Sequence, residues 1–199
     1  MNIDFWKGKR VFITGHTGFK GSWLSLWLKY LGAELTGYSL DNNVGKSFYN
    51  DVGIANDMNS IKGDICDIDF LKQEIIKSNP DIIIHMAAQA LVRDSYSNPI
   101  ETYNTNIMGT VNVLEAARKC SSVKSIINVT SDKCYENYER ESGYKENEPM
   151  GGHDPYSSSK GCAELVASAY RNSFFSPEGK INMASVRAGN VVGGGDWSK

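Results

Sequence analysis

The chain has 199 residues, of which 41% are hydrophobic and 22% are charged, a composition typical of one globular domain with a sizeable core. Its formal net charge of −2 argues against non-specific nucleic-acid binding, which needs a basic surface. The longest apolar runs, such as 81–88, are much shorter than the roughly 20 residues that span a bilayer. Charged residues near the N-terminus also argue against a signal peptide. We therefore expect a cytoplasmic protein.

The cysteines and histidines are scattered along the chain, without the short spacings that hold a zinc ion. This distribution predicts no metal site and favours reduced thiols in the cytosol. The residues concerned are Cys66, Cys120, Cys134, Cys162, His16, His85 and His153.

Short apolar runs alternate with helical patterns, which is typical of an α/β fold. We predict a Rossmann-type, doubly wound parallel sheet with helices on both faces, in a single domain over residues 1–199. The first helix follows a strand at 10–14 and ends at Gly32, and its apolar face would comprise Trp23, Leu24, Trp27, Leu28 and Leu31.

The later elements follow from the same alternation. Further strands are predicted at 34–40, 60–64, 82–85, 125–130 and 181–192. The polar stretch 41–59 reads as a long loop or a broken helix. A helix ending before Pro80, a long helix at 99–119 and a helix containing Tyr156 complete the series.

A glycine-rich segment, 14–21, lies between the first strand and the first helix, where such a pattern is typical of dinucleotide binding. Glycine lets the backbone approach a pyrophosphate closely, and the free amides at the helix N-terminus favour its negative charge. A plain tight turn is the alternative. The predicted cofactor contacts here are Gly15, Thr17, Gly18, Phe19 and Gly21.

The end of the second strand normally decides between the two nicotinamide cofactors, because an acid there binds the ribose hydroxyls. Ser39 and the nearby Asp41 favour NAD, whereas Lys46 would suit a 2′-phosphate. Asp64 and Ile65, after the third strand, would flank the adenine, although a surface turn explains that pair almost as well.

Tyr156 and Lys160 are four residues apart and therefore share one face of a helix. An ammonium group beside the phenol favours its ionised form, so the pKa of Tyr156 is expected to fall from about 10 towards neutrality. The phenol would then be a base for hydride chemistry at a nicotinamide. The alternative is an exposed aromatic residue beside a solvated lysine.

With these segments in order, the chain resembles the extended short-chain dehydrogenase/reductase family. Within that family it looks most like the nucleotide-sugar 4,6-dehydratases, in particular the branch that acts on CDP-glucose. The resemblance covers essentially the whole chain and is carried by segments 14–21, 85–89, 106–110, 130–135, 156–160 and 189–197.

The resemblance implies that NAD oxidises the sugar at C4, that water is eliminated across C5 and C6, and that the hydride returns to C6. Tyr156, assisted by Lys160, would be the base at the C4 hydroxyl, and Ser131 would hydrogen-bond near O4. Asp132 would be the acid for the departing hydroxyl if it stays protonated. Lys133 stands where most relatives carry glutamate and would be either the C5 base or an electrostatic stabiliser.

The resemblance also assigns residues around these groups. For Arg187 a structural ion pair is the favoured role. For Ala87 and Ala88 tight core packing explains the small side chains as well as a cofactor contact does. The nicotinamide side would be formed by Ala87, Ala88, Gln89 and Asn106, and the substrate side by Arg93, Ser95 and Asn190.

Members of this family are longer and carry a smaller C-terminal substrate lobe, which is expected to be missing or truncated here. The resemblance implies a homodimer or higher homo-oligomer formed through two long helices, with a monomer as the alternative. It also implies that the product supplies deoxysugars for bacterial surface polysaccharide, such as lipopolysaccharide O-antigen. Two alternatives stay open: a nucleotide-sugar 4-epimerase of the same fold, which needs no acid and base for elimination, and a catalytically silent NAD-binding module.

Overall fold

The computed structural model describes residues 3–40, 47–176, 179 and 181–196. Within them, six strands form one sheet in the order β3-β2-β1-β4-β5-β6, and every neighbouring pair is parallel. This sheet confirms the predicted doubly wound fold. The strands are β1 (Arg10–Thr14), β2 (Glu34–Ser39), β3 (Asn59–Lys62), β4 (Ile82–His85), β5 (Ser125–Val129) and β6 (Asn182–Val186).

The helices cover both faces of this sheet. Two irregular turns matter for the site, a π-helical turn at Asn104–Met108 and a 3-10 turn at Asp132–Cys134. The α-helices are α1 (Phe19–Tyr30), α2 (Phe48–Val52), α3 (Ile68–Ser78), α4 (Val92–Ser97), α5 (Pro99–Tyr103), α6 (Gly109–Arg118) and α7 (Pro155–Tyr170).

Alternating strand residues build two apolar layers, because successive side chains point to opposite faces. Phe12, Ile83 and Ile126 pack with residues of α3, α6 and α7. Val11, Ile13, Ile82 and Ile84 pack on the other face with Leu28 of α1. The central strands are thus buried on both sides, as expected of a parallel sheet.

Three predicted elements differ from the structure by more than a shift of one or two residues at an end. The prediction of one apolar face on α1 was wrong for Trp23 and Trp27, which are 43% and 49% exposed. The last strand ends at Val186 rather than 192, because its neighbour β5 ends at Val129 and offers no further partner. The helix predicted at 99–119 is interrupted by the π-helical turn.

The strand order reverses between β1 and β4, so the connections that follow these two strands leave in opposite directions. Such a switch point leaves a crevice at the carboxyl ends of the strands. Thr14 and His85 are paired at those ends and therefore mark the floor of the crevice. Among the described residues, no helix is long and apolar enough to cross a membrane, and no cluster of potential metal ligands occurs.

Candidate active site

A cleft of about 460 Å³ opens at this switch point. Most of the side chains that the sequence predicts for the site line it, although they come from distant parts of the chain. These residues are Gly15, Gly18, Phe19, Gly21, Ser39, Asp64, Ile65, Ala87, Ala88, Ser131, Lys133, Tyr156 and Asn190.

The glycine-rich loop packs too closely for side chains at two of its positions. A Cβ atom at Gly15 would lie 2.8 Å from the Ala87 backbone, and Gly15 has a positive φ of 76°. A Cβ atom at Gly21 would lie 2.1 Å from the carbonyl oxygen of Gly15. The loop is therefore a bare backbone cradle at the N-terminus of α1, and this arrangement fits the pyrophosphate of a dinucleotide.

His16, inside the same loop, is turned away from the cleft and buried beneath β2. Its Nε2 atom is 2.8 Å from the hydroxyl of Ser60, and burial lowers its pKa to about 4. The imidazole lies directly over Gly37, where a Cβ atom would come within 2.3 Å of the ring. The glycine on β2 is therefore what leaves space for this histidine.

The far end of the cleft, beside β2 and β3, carries the residues predicted for ribose and adenine. The hydroxyls of Thr17 and Ser39 are 2.8 Å apart, so the glycine loop is joined to the end of β2. Asp64 uses Oδ1 to accept the backbone N–H of Cys66 at 2.9 Å. The predicted contacts Asp41 and Lys46 lie outside the described residues.

A chain of buried hydrogen bonds fixes the loop after β4. The Thr14 hydroxyl accepts the N–H groups of Met86 and Ala87, both at 3.1 Å, so its own hydrogen is donated to Nδ1 of His85 at 2.7 Å. Thr110 donates to a backbone carbonyl, so Nε2 of His85 donates to Thr110 at 3.1 Å. His85 is thus a neutral imidazole with its proton on Nε2, and burial followed by the charge of Lys160 lowers its pKa to about 3.

Asn106 is buried in the π-helical turn and binds two segments of the site. Its Oδ1 accepts the N–H of Gln89 at 2.9 Å, and its Nδ2 donates to the carbonyl of Gln89 at 3.0 Å. Nδ2 also donates to the hydroxyl of Ser159 at 2.8 Å, which in turn donates to the carbonyl of Tyr156. Asn106 and Gln89 therefore brace the backbone behind the cleft and do not line it.

Helix α7 presents Tyr156 and Lys160 from its first two turns. The helix begins after Asp154, whose carboxylate accepts the N–H of Ser157 at 3.0 Å, and Pro155 occupies its first position. Nζ of Lys160 lies 5.9 Å from the centroid of the Tyr156 ring. Lys160 is buried, whereas Tyr156 is half-buried and reaches the cleft.

The predicted fall in the pKa of Tyr156 was wrong for this structure. Burial raises the pKa of the phenol, and a hydrogen bond with Ser131 only partly opposes this effect. Burial and the charge of Lys20 lower the pKa of Lys160 to about 8. The position of the lysine follows from the spacing of four residues, but its effect depends on burial, which spacing does not reveal.

The 3-10 turn after β5 carries the other predicted catalytic residues. Its first N–H groups are capped by Ser131, whose oxygen accepts the N–H of Lys133 at 3.2 Å and whose hydroxyl donates to Oδ1 of Asp132 at 3.1 Å. Ser131 and Lys133 line the cleft. Asp132 is exposed beside them, with Oδ2 facing Gly189.

The substrate-side predictions fare differently. Asn190 lines the cleft, but Arg93 and Ser95 do not. Arg93 is exposed on α4, and Ser95 is fully buried with its hydroxyl donated to the carbonyl of Val92, so Ser95 cannot face a ligand from this conformation. Arg187 forms the predicted ion pair, with Glu164.

Sequence reasoning missed several residues of the site. Lys20 and Thr105 line the cleft, and their places beside Gly21 and Asn106 would have been sufficient to identify them. Glu164 is buried one helical turn after Lys160, and this spacing of four residues could also have been recognised in the sequence. The other cleft-lining residues of the loop after β6, Ala188, Gly189 and Val191, were hidden because a longer strand was predicted there.

Comparisons with known proteins agree with this geometry. The chain is 58% identical to CDP-glucose 4,6-dehydratase of Salmonella typhimurium, over all of this chain and 56% of that protein. It is 30% identical to dTDP-D-glucose 4,6-dehydratase of Dictyostelium discoideum, over 93% of this chain and 44% of that protein. The chain therefore spans about half the length of these relatives.

Solved structures show the same architecture. An NAD complex of dTDP-glucose 4,6-dehydratase from Bacillus anthracis matches with a TM-score of 0.79 and 25% identity, over 96% of this chain and 57% of that one. An NAD complex of UDP-glucose 4-epimerase from Brucella ovis matches with a TM-score of 0.78 and 25% identity, over 92% and 52%. The sequence model of the family described as GDP-mannose 4,6 dehydratase matches residues 12–184. The chain therefore belongs to the GDP-mannose 4,6 dehydratase family, which confirms the predicted group of nucleotide-sugar 4,6-dehydratases.

Proposed function

We propose that this chain contributes the cofactor-binding and catalytic part of an NAD-dependent enzyme that converts CDP-glucose to CDP-4-keto-6-deoxyglucose. The 58% identity to the Salmonella CDP-glucose 4,6-dehydratase supports this choice of substrate. The product would feed deoxysugar synthesis for bacterial surface polysaccharide in the cytoplasm.

The observation that carries the proposal is the meeting of Tyr156, Ser131 and Lys133 in one cleft whose other end is the glycine cradle. When bound, NAD supplies reversible hydride transfer. The cradle of Gly15, Gly18 and Gly21 would hold its pyrophosphate, with the nearby Lys20 adding positive charge. The remaining contacts proposed for the cofactor are Thr17, Phe19, Ser39, Asp64, Ile65, Ala87, Ala88, Tyr156 and Lys160, while Gln89 and Asn106 would support them from behind the cleft.

Tyr156 would accept the proton of the sugar's C4 hydroxyl, and Ser131, which lines the same cleft, would hold the sugar oxygen. Oxidation at C4 makes the C5 proton acidic because the resulting carbanion is an enolate. Lys133 would remove that proton while Asp132 gives one to the departing C6 hydroxyl, so that one water leaves. Asn190 would contact the sugar side of the substrate.

We further propose a homodimer formed through the helices α5–α6 and α7. Large apolar side chains are exposed on these helices, including Ile100 on α5 at 85% and Leu165 on α7 at 61%. Burying them against a second copy would remove this apolar surface from water. Light scattering of the wild type and of the double variant I100K/L165K tests this point, and a dimer in both proteins would contradict it.

The direct test incubates the 199-residue protein and NAD separately with CDP-glucose, dTDP-glucose and GDP-mannose, and measures loss of water by mass spectrometry. Loss from CDP-glucose alone is the expected result. An epimerase would change the configuration at C4 without losing water. Absence of reaction while NAD binds would instead favour a catalytically silent module.

Tyr156→Phe is the sharpest variant for this assay. Loss of the phenolic hydroxyl should reduce turnover on the order of 100-fold or more, because the proton acceptor at C4 is gone. Tyr103→Phe is the matched control, since the Tyr103 hydroxyl also binds α7, through Ser158 at 2.9 Å, but does not line the cleft.

A further inference from the structure

The guanidinium group of Arg187, directly after β6, is largely enclosed and paired with a buried carboxylate. Its Nε and Nη2 atoms donate to Oε1 and Oε2 of Glu164, both at 3.0 Å. The side chains of Arg187 and Glu164 are 17% and 7% exposed. Two parallel hydrogen bonds of this kind fix orientation as well as distance.

The pair also reaches two segments beside the cleft. Nη1 of Arg187 donates to the hydroxyl of Tyr135 at 2.8 Å and to the carbonyl of Glu146 at 2.9 Å. Glu164 accepts a short hydrogen bond from the hydroxyl of Thr130. Together these bonds satisfy a carboxylate and a guanidinium that would otherwise be costly to bury.

These partners flank the groups to which the proposed function gives catalytic roles. Thr130 and Tyr135 stand immediately before and after the segment 131–134, which contains Ser131, Asp132 and Lys133. Glu164 lies on α7, one turn after Lys160 and two turns after Tyr156. Arg187 and Glu164 therefore connect both ends of the segment to the helix that carries the tyrosine.

We infer that Glu164 and Arg187 are positioning residues, which hold the segment 131–134 in register with Tyr156 and Lys160. The expected effect on catalysis rests on the proposed function, whereas the expected effect on how firmly the segment 131–134 is held does not. The charges agree with it, because the hydrogen bonds from Arg187 and Thr130 outweigh burial and lower the pKa of Glu164. The Glu164 carboxylate also opposes the lowering of the pKa of Lys160.

A second ion pair provides a matched control at the amino ends of the two central strands. Nε and Nη2 of Arg10 donate to the two carboxylate oxygens of Asp81 at 3.1 and 3.2 Å. This pair joins the start of β1 to the start of β4, far from the carboxyl ends where the cleft opens. Arg→Lys keeps the charge at either site and removes the paired geometry.

Two buried thiols allow local opening to be measured separately beside the cleft and near the amino ends of the strands. Cys134 is 0% exposed in the segment 131–134, and Cys120 is 6% exposed in the connection between α6 and the amino end of β5. The experiment compares wild type, R187K and R10K by the rate at which a maleimide labels each cysteine, read by peptide mass spectrometry. Labelling of a buried thiol measures local opening.

In R187K, the labelling of Cys134 should accelerate by about tenfold or more while that of Cys120 stays as in wild type. In R10K, Cys134 should remain slow. An unchanged labelling rate at Cys134 in R187K would overturn the inference, because the ion pair would then not hold the segment 131–134. An equal acceleration at both thiols would also overturn it, because the ion pair would then stabilise the whole fold.

Turnover of CDP-glucose supplies the catalytic readout. For R187K, kcat should fall roughly tenfold or more with a nearly unchanged KM, since misplaced groups act on the reaction more than on binding. R10K should retain wild-type kcat. If wild type loses no water from CDP-glucose, the proposed function fails, and the labelling rates still decide whether the pair holds the segment.

Discussion

Nζ of Lys160 lies over the ring of Tyr156 at 5.9 Å from its centroid, yet the phenol of Tyr156 has a raised pKa and the lysine a lowered one. Both shifts favour the neutral forms, because burial penalises charge on either group. At neutral pH Lys160, with a pKa of about 8, is still mostly an ammonium, whereas Tyr156 with its raised pKa is a neutral phenol, so the two groups do not form a preformed phenolate and ammonium pair.

The first prediction concerns stability at alkaline pH. The pKa of Lys160 is about 8 in the folded chain and about 10.4 in an unfolded one. The unfolded chain therefore binds more protons between these values, so the lysine's contribution to stability rises with pH in that range. Lys160→Met should remove about 2 kcal/mol of the change in unfolding free energy between pH 7.5 and 9.5.

Urea unfolding of both proteins at the two pH values measures this difference. The comparison with the variant cancels the opposing contribution of the buried thiols. Lys29→Met, at an exposed position in the last turn of α1, is the control and should follow wild type. Parallel behaviour of Lys160→Met and wild type would refute the assigned shift.

The second prediction concerns acid. His85 has a folded pKa of about 3, below its unfolded value of about 6.5, so its contribution to stability is full above pH 6.5 and is lost as pH falls. His85→Gln keeps a donor and an acceptor but does not titrate. Between pH 7 and pH 5 the variant should lose about 2 kcal/mol less unfolding free energy than wild type. Equal losses measured by urea unfolding would show that His85 is not buried as a neutral group.

The third prediction concerns the glycine cradle. In Gly21→Ala the new methyl group would meet backbone atoms of Gly15 and His16 at 2.1 and 2.8 Å, and backbone cannot move aside as a side chain does. We expect a loss of about 1–3 kcal/mol of stability together with loss of NAD binding, measured by thermal unfolding and calorimetry. Gly143→Ala has no atom within 4 Å of its new Cβ and should behave as wild type.

The fourth prediction concerns Asn106. Asn106→Ala leaves the N–H and carbonyl of Gln89 without their partner, which should cost about 1–3 kcal/mol and lower kcat by roughly tenfold or more through displacement of the site. Asn104→Ala, at the first position of the same turn and two residues before Asn106, removes a contact with Sγ of Cys66. Similar kcat values in the two variants would argue against a bracing role for Asn106.

The sheet could be predicted from the sequence because its central strands are short apolar runs bounded by turn residues. β4 is the clearest case, since all four of its residues are buried and Pro80 lies just before it. The end of the edge strand β6 was harder to predict, because residues 187–192 continue the pattern of β6 although no partner strand remains beside them.

The candidate site could be predicted where function depends on local spacing, and not where it depends on burial. Gly15, Gly21, Tyr156 and Lys160 are recognisable from their intervals alone. The π-helical turn around Asn106 was not, because the apolar period on either side of it is uninterrupted. Likewise, nothing local to Ser95 indicates that its hydroxyl is used inside α4.

The contact between His16 and Gly37 limits which substitutions these two positions can accept during evolution. A Cβ atom at position 37 and an imidazole at position 16 would occupy the same space, so a larger residue on β2 is admissible only after the histidine has become smaller. The order of the two changes is therefore fixed, and relatives with a larger residue at position 37 are expected to carry a smaller one at position 16. Although the two positions are twenty-one residues apart in the chain, the residue at 16 decides what position 37 can accept.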